Sequence, residues 1–162
     1  MTDFDPSLLF FSCVLHDIGL SELGNRTQRF EVDGADVAAE FLAEQGFSAV
    51  DRGTVWEAIA LHTSSGIAER RGPVTELTRC GIGADFGRGT DFVSDEQAAL
   101  IHAAYPRLAM ERSLVDEIVA QAQGRPEKAV RYTFPGELVR ERKAAGTTGL
   151  EQGAALSRWG MS

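Results

Sequence analysis

Leu15-His16-Asp17-Ile18-Gly19 sets an imidazole and a carboxylate side by side at the end of an apolar run. Burying such a pair without partners is costly, because neither charge finds water or a counter-ion. A divalent cation removes that cost, since imidazole nitrogen and carboxylate oxygen are both good ligands for first-row metals. Successive helical side chains point about 100° apart, so both reach one ion only where a helix ends or bends. Gly19 permits such an end. Two further segments repeat the pattern. Ile59-Ala60-Leu61-His62-Thr63 and Gly81-Ile82-Gly83-Ala84-Asp85 each carry one ligand-type residue at the end of an apolar stretch. Each has a plainer reading: Asp17 as a local cap, His62 as a core histidine bonded to a carbonyl, Asp85 as the cap of the next turn.

Other charged residues surround these. Glu31 and Asp33 are candidates for proton transfer or for hydrogen bonding around a metal. They also suit the first turn of a helix, where acids are favoured. Arg70, Arg71 and Arg88 could form a basic rim that holds a phosphate; the alternative is solvated loop arginines. His102 lies in the apolar run Ala99-Leu100-Ile101-His102-Ala103-Ala104 and reads as structural.

The elements that must position these residues are helical. Strict period-2 alternation is rare, and the one Asp-Gly, Asp33-Gly34, opens a helical pattern. Asp5-Pro6 supplies an N-cap and a first helical residue, so a helix is predicted over about 6–17. Further helices are predicted over about 32–45, 51–62, 73–85, 95–104 and 107–123. Gly46 ends the second, and Ser94 with Gln97 makes a capping box for the fifth. Residues 126–143 read as helix interrupted at Pro135-Gly136. The expectation is one all-α domain over 1–143, about six or seven helices around one core, with a loosely ordered tail over 144–162.

Composition narrows the function. The 162 residues suit one domain. The net charge is −8, which excludes a basic nucleic-acid binder as the default. It weakly favours a small neutral substrate. Cys13 and Cys80 belong to no CxxC pair and read as reduced thiols of a cytoplasmic protein. The run Ser7 to Leu15 has no basic leader and is too short to span a bilayer, so it reads as a buried core helix and no membrane partner is expected.

The motifs, in order, resemble the HD superfamily of metal-dependent hydrolases: Leu-His-Asp-Ile-Gly, a helix ending in Leu-His, then Ala-Asp, over about residues 5–125. Arg29-Phe30-Glu31-Val32-Asp33-Gly34-Ala35 and Val55-Trp56-Glu57-Ala58-Ile59-Ala60-Leu61-His62-Thr63 resemble elements of its cyanamide hydratase-like subgroup. The resemblance implies an HD-domain-like bundle and a divalent metal (Zn, Fe, Mn or Ni) held by His16, Asp17 and Asp85. His62 matches a histidine that lines the site or binds a second metal. Asp17, His62, Glu31 and Asp33 would serve the chemistry, and Arg70, Arg71 and Arg88 a phosphate-bearing substrate. The implied reaction is addition of water to a small nitrile-like molecule such as cyanamide; a phosphohydrolase is the second reading. One element departs. The family's first histidine lies in a helix before the His-Asp pair, and none of the fifteen residues before His16 is histidine. The chain then reads as beginning one helix late. Three outcomes stay open: a shortened form, a cation held by three protein ligands plus water, or a metal-free helical binding or regulatory module. An apolar groove left by an absent helix would also permit a homodimer.

Overall fold

The computed structural model describes residues 4–159. Eight α-helices and no strand occur among them: α1 Pro6–Leu15, α2 Phe30–Glu44, α3 Ala49–Leu61, α4 Pro73–Asp85, α5 Asp95–Ala104, α6 Met110–Gly124, α7 Phe134–Ala145 and α8 Gly149–Ala155. Short 3-10 turns follow α1 (Ile18–Leu20), α3 (Ala68–Arg70) and α6 (Pro126–Ala129). The protein is all-α, as its periodicity predicts.

Local chemistry explains most helix ends. The Asp5 carboxylate accepts from Ser7 N at 2.7 Å, and Pro6 opens α1 with a fixed φ and no orphaned N–H. Ser48 with Asp51 and Ser94 with Gln97 form capping boxes on α3 and α5. Gly46, at φ 81°, takes the left-handed turn that stops α2. Two expectations are corrected. Pro135 does not interrupt a helix; it lies in the first turn of α7, where a missing N–H costs nothing, behind the Thr133 N-cap. The 144–162 stretch holds α8, whose capping box pairs Thr148 with Glu151. Glu151 also receives Arg142 at 2.7 Å, which ties α8 to α7.

The buried side chains form two clusters rather than one. Leu8, Ala35, Ala38, Leu42, Val55, Ala58, Ile59 and Val74 join α1 to α4. Phe30, Val115, Ile118 and Leu138 join the start of α2 to α6 and α7. Small residues at positions 35, 38 and 58 let α2 and α3 approach closely. Helix α1 is not buried all round: Leu8 and Ser12 face the core, whereas Phe10 and Val14 are 61% and 62% exposed. A one-sided helix fits its edge position against α3 and α4. No described helix is long and apolar enough to cross a membrane.

Three polar links join the two clusters. Gln121 Nε2 donates to Gly19 O at 3.1 Å, Arg125 Nη1 to Asn25 O at 2.8 Å, and Lys128 Nζ to Asp33 Oδ2 at 2.6 Å. Gly19 is buried where the turn after α1 crosses the start of α2. A Cβ there would lie 1.9 Å from Phe30 O and 2.9 Å from Gly34 N. Both are backbone atoms and cannot swing aside. Gly19→Ala is therefore expected to lower Tm by about 4–10 °C, from roughly 2–3 kcal/mol of overpacking. A thermal melt that shifts by less than about 1 °C would refute this close approach.

Candidate active site

Helix α1 ends at Leu15, and Asp17 then takes φ −102°, ψ 10° before the 3-10 turn. That break in helical phase lets two adjacent side chains converge. His16 Nε2 lies 3.1 Å from Asp17 Oδ2. His62, the C-cap of α3, brings its Nε2 to 3.8 Å from Asp17 Oδ1. The two imidazole rings meet edge to face with centroids 5.2 Å apart. Phe30 packs against the other side of His62 at 5.6 Å.

Both histidines are held the same way. His16 Nδ1 is 2.8 Å from Cys13 O, and His62 Nδ1 is 2.6 Å from Ile59 O. A carbonyl only accepts, so each Nδ1 carries a hydrogen and donates. In a neutral ring the lone pair then sits on Nε2. Both Nε2 atoms therefore point at the same carboxylate.

The electrostatics follow. Burial opposes a charge on His16, yet the hydrogen bond and charge of Asp17 outweigh it and raise its pKa, with help from Cys13 O and the field of Asp85. Burial likewise works against the Asp17 charge, but His16, and more weakly His62, hold its pKa below the ordinary value. His62 is pushed down to about 4, by burial first and then by the charge on His16. Around neutral pH His62 is thus a neutral imidazole beside the Asp17 carboxylate, and Asp17 favours the protonated form of His16. The His62 lone pair faces an anionic oxygen with no proton between them. That acceptor-to-acceptor contact is what a cation would relieve.

Donors bound about 2.1 Å from one ion sit roughly 3.0–3.4 Å from each other. The His16–Asp17 separation already matches, and His62–Asp17 is wider by about half an ångström. As the side chains stand, no three His, Cys, Asp or Glu among the described residues form a complete ligand set. His62 is the donor that has to close. The donor chemistry fits a divalent cation, with His16, Asp17 and His62 as the set.

Asp85 is near enough for its charge to act on His16, but its carboxylate is turned to another partner. It ends α4 with its side chain 55% exposed, and Oδ1 accepts from Arg107 Nη1 at 2.8 Å. His62 is the side chain that stands beside Asp17 opposite His16 in this structure. Asp85→Asn is expected to leave Mn2+ or Zn2+ affinity within about twofold by titration calorimetry. A tenfold loss or more would mean that the Arg107 pair opens and Asp85 binds the ion.

The remaining candidates divide. Glu31 is fully buried; Oε1 accepts from Thr63 Oγ1 at 2.8 Å, and Oε2 has no hydrogen-bond partner, with Arg29 Nε 3.9 Å away. Burial raises its pKa, against the pull of Arg29 and Thr63. It steadies the residue after His62 from behind. Asp33 is also fully buried, but it accepts from Arg26 N, Gln28 N and Lys128 Nζ. Those bonds use both its oxygens, so it holds the fold and is in no position to move a substrate proton. Arg70 donates to Gly66 O and Arg71 pairs with Glu57, so these two form no phosphate rim. Arg88 does reach the cavity described next. His102 packs at a tilt against Trp159 and does not line the cavity.

Sequence reasoning passed over Arg79. Its Nη1 donates to His62 O at 2.8 Å and its Nε to Glu69 Oε1 at 2.7 Å, clamping the end of α3 to α4. The signal was present: Arg79 is the one charge in the stretch from Leu77 to Ala84.

The trio lies on a cavity of about 830 Å³. Leu9, Cys13 and His16 recur at helical spacing on α1 and face it, as do Leu77, Cys80, Gly81 and Ala84 on α4. Leu114, Phe134 and Leu150 close the side formed by α6 to α8. A concave, largely apolar pocket with a few convergent polar groups and perturbed pKa values is the expected setting for a reaction. Compared with known proteins, the chain matches no protein-family profile, no curated protein and no solved structure.

Proposed function

We propose that this chain is a divalent-cation-dependent hydrolase or hydratase of the HD type, adding water to a small nitrile-like molecule. One observation carries the reading: two imidazoles, each locked through Nδ1 to a backbone carbonyl, aim Nε2 at one carboxylate on the wall of a cavity. Locking the distal nitrogen to a carbonyl is the usual device for presenting Nε2 to a metal. The HD-like motif order supports the same reading. His16, Asp17 and His62 would hold the ion, and Arg79 and Glu31 would keep the His62 end of α3 in place.

A bound cation supplies Lewis acidity, bringing a water towards neutral pKa and polarising the substrate. Asp17 lines the cavity between the two imidazoles, and its carboxylate would accept a proton from the attacking water. As the O–H bond breaks, oxygen forms a bond to the nitrile carbon, and one C–N π pair moves to nitrogen. Asp17 returns the proton to that nitrogen, and the imidic acid tautomerises to an amide. Water and nitrile are consumed and amide is formed, with Asp17 regenerated. The apolar walls exclude bulk water and strengthen each of these charge interactions.

A phosphohydrolase would need several cationic groups around the phosphate; Arg70 and Arg71 have other partners, which leaves Arg88 alone of the three at the cavity. The test compares cyanamide and a generic phosphomonoester, each with added Mn2+, Zn2+, Fe2+ or Ni2+ and with a chelator. Chelator-sensitive hydration product supports the proposal. Phosphate release alone would replace it with the phosphohydrolase reading. Neither product, in a protein that binds no cation, would leave a metal-free binding module.

A further inference from the structure

We infer that the substrate has an aromatic body, with the reacting group at one end. The inference rests on the proposed water-adding site for the reacting group, and on the cavity alone for the body.

Size comes first. A three-heavy-atom molecule such as cyanamide fills a small part of about 830 Å³. Pockets of roughly 300–1,000 Å³ enclose drug-sized ligands and bury most of their surface. A small molecule in this cavity would leave apolar walls wetted and would gain little from them.

Chemistry comes second. Phe30 of α2, Phe86 and Phe92 of the connection from α4 to α5, and Phe134 of α7 line the cavity together with Leu77 and Leu114. Phe30 is buried beside His62, whereas Phe92 is 77% exposed at the rim. The rings therefore extend from the reacting end to solvent. Phenyl walls favour an aromatic guest in edge-to-face or offset contact over an aliphatic chain of equal area. Polar side chains gather at the reacting end, where His16, Asp17, His62 and Thr63 line the cavity; Ser65 and Arg88 line it as well. Arg79 and Glu69 also line the cavity, but they are paired with each other. A guest that matches has one small polar head and a flat hydrocarbon body.

The test uses 2-naphthonitrile, benzonitrile and cyanamide, with calorimetric binding to the metal-free protein and amide formation in the loaded one. The expected result is tighter binding and higher kcat/KM in the order naphthonitrile, benzonitrile, cyanamide, with at least about a hundredfold in kcat/KM between the ends. Leu114→Trp, which adds an indole to the cavity wall, is expected to weaken naphthonitrile binding about tenfold while the far-ultraviolet circular dichroism stays unchanged. Naphthonitrile that binds but is not hydrated supports the aromatic pocket and overturns the water-adding reading. Cyanamide that is hydrated while no arene binds overturns the aromatic pocket and leaves the reaction standing. A chain that dimerises over the cavity and binds no arene also overturns it.

Discussion

Asp17→Ala is expected to weaken cation binding by at least about 100-fold and to abolish cation-dependent turnover, because it removes the carboxylate that both imidazoles face. Changing partners that merely orient a ligand typically costs 10–100-fold in affinity, so losing the shared ligand costs more. His62→Ala is expected to act in the same direction. It deletes one donor and leaves the phenyl ring of Phe30 against a hole. Calorimetry with Mn2+ and Zn2+ measures both variants. A thermal melt on each separates loss of binding from loss of fold. Unchanged affinity in a folded Asp17→Ala protein would place the cation elsewhere.

The second large effect falls on stability. Asp33 and Lys128 are both buried and meet at 2.6 Å across 95 positions of sequence. Lys128→Met leaves Asp33 facing Arg26 N and Gln28 N without a counter-charge. Stranding one partner of a buried ion pair costs about 3–5 kcal/mol, which for a chain of this size lowers Tm by roughly 10 °C. Replacing both partners, Asp33→Leu with Lys128→Met, is expected to cost less than the sum of the single changes. Additive losses, or a Lys128→Met protein that melts within about 2 °C of the parent, would show that the pair does not clamp α2 to the turn after α6.

These two predictions mark what the sequence makes legible. The His16–Asp17 corner was readable because it is local: an apolar helix, two adjacent ligand-type residues and a glycine to end it. The ends of α1 and α5 were readable for the same reason, through Asp5-Pro6 and Ser94 with Gln97. Distant pairings were not. Asp33 looked like a catalytic acid beside Glu31 because nothing in residues 26–36 announces Lys128. The pairing of Asp85 with Arg107 was hidden in the same way, because Arg107 lies beyond α5. Helix α8 was missed although Thr148 and Glu151 spell a capping box, since Gly149 and Gly153 hide any apolar stripe. Two cores instead of one follow from Phe30, which opens α2 yet packs on α6 and α7.

The same reasoning bears on Arg79. It binds the backbone of His62 rather than any reacting atom, so it is a positioning residue. Its pairing with Glu69 offsets its charge at the cavity wall, and what remains helps to keep His62 neutral.

The central claim is that His16 and His62 share one cation through Nε2. The chain has three histidines, so nitrogen-detected imidazole spectra resolve each one. The direct measurement is a Zn2+ titration of the 15N-histidine-labelled protein, followed through the Nε2 and Nδ1 shifts. The account predicts that the Nε2 signals of His16 and His62 move together and saturate at one equivalent. Both Nδ1 signals should stay in the protonated range, and His102 should stay still. Independent titration of the two rings, or a shift at His102 alone, would contradict it.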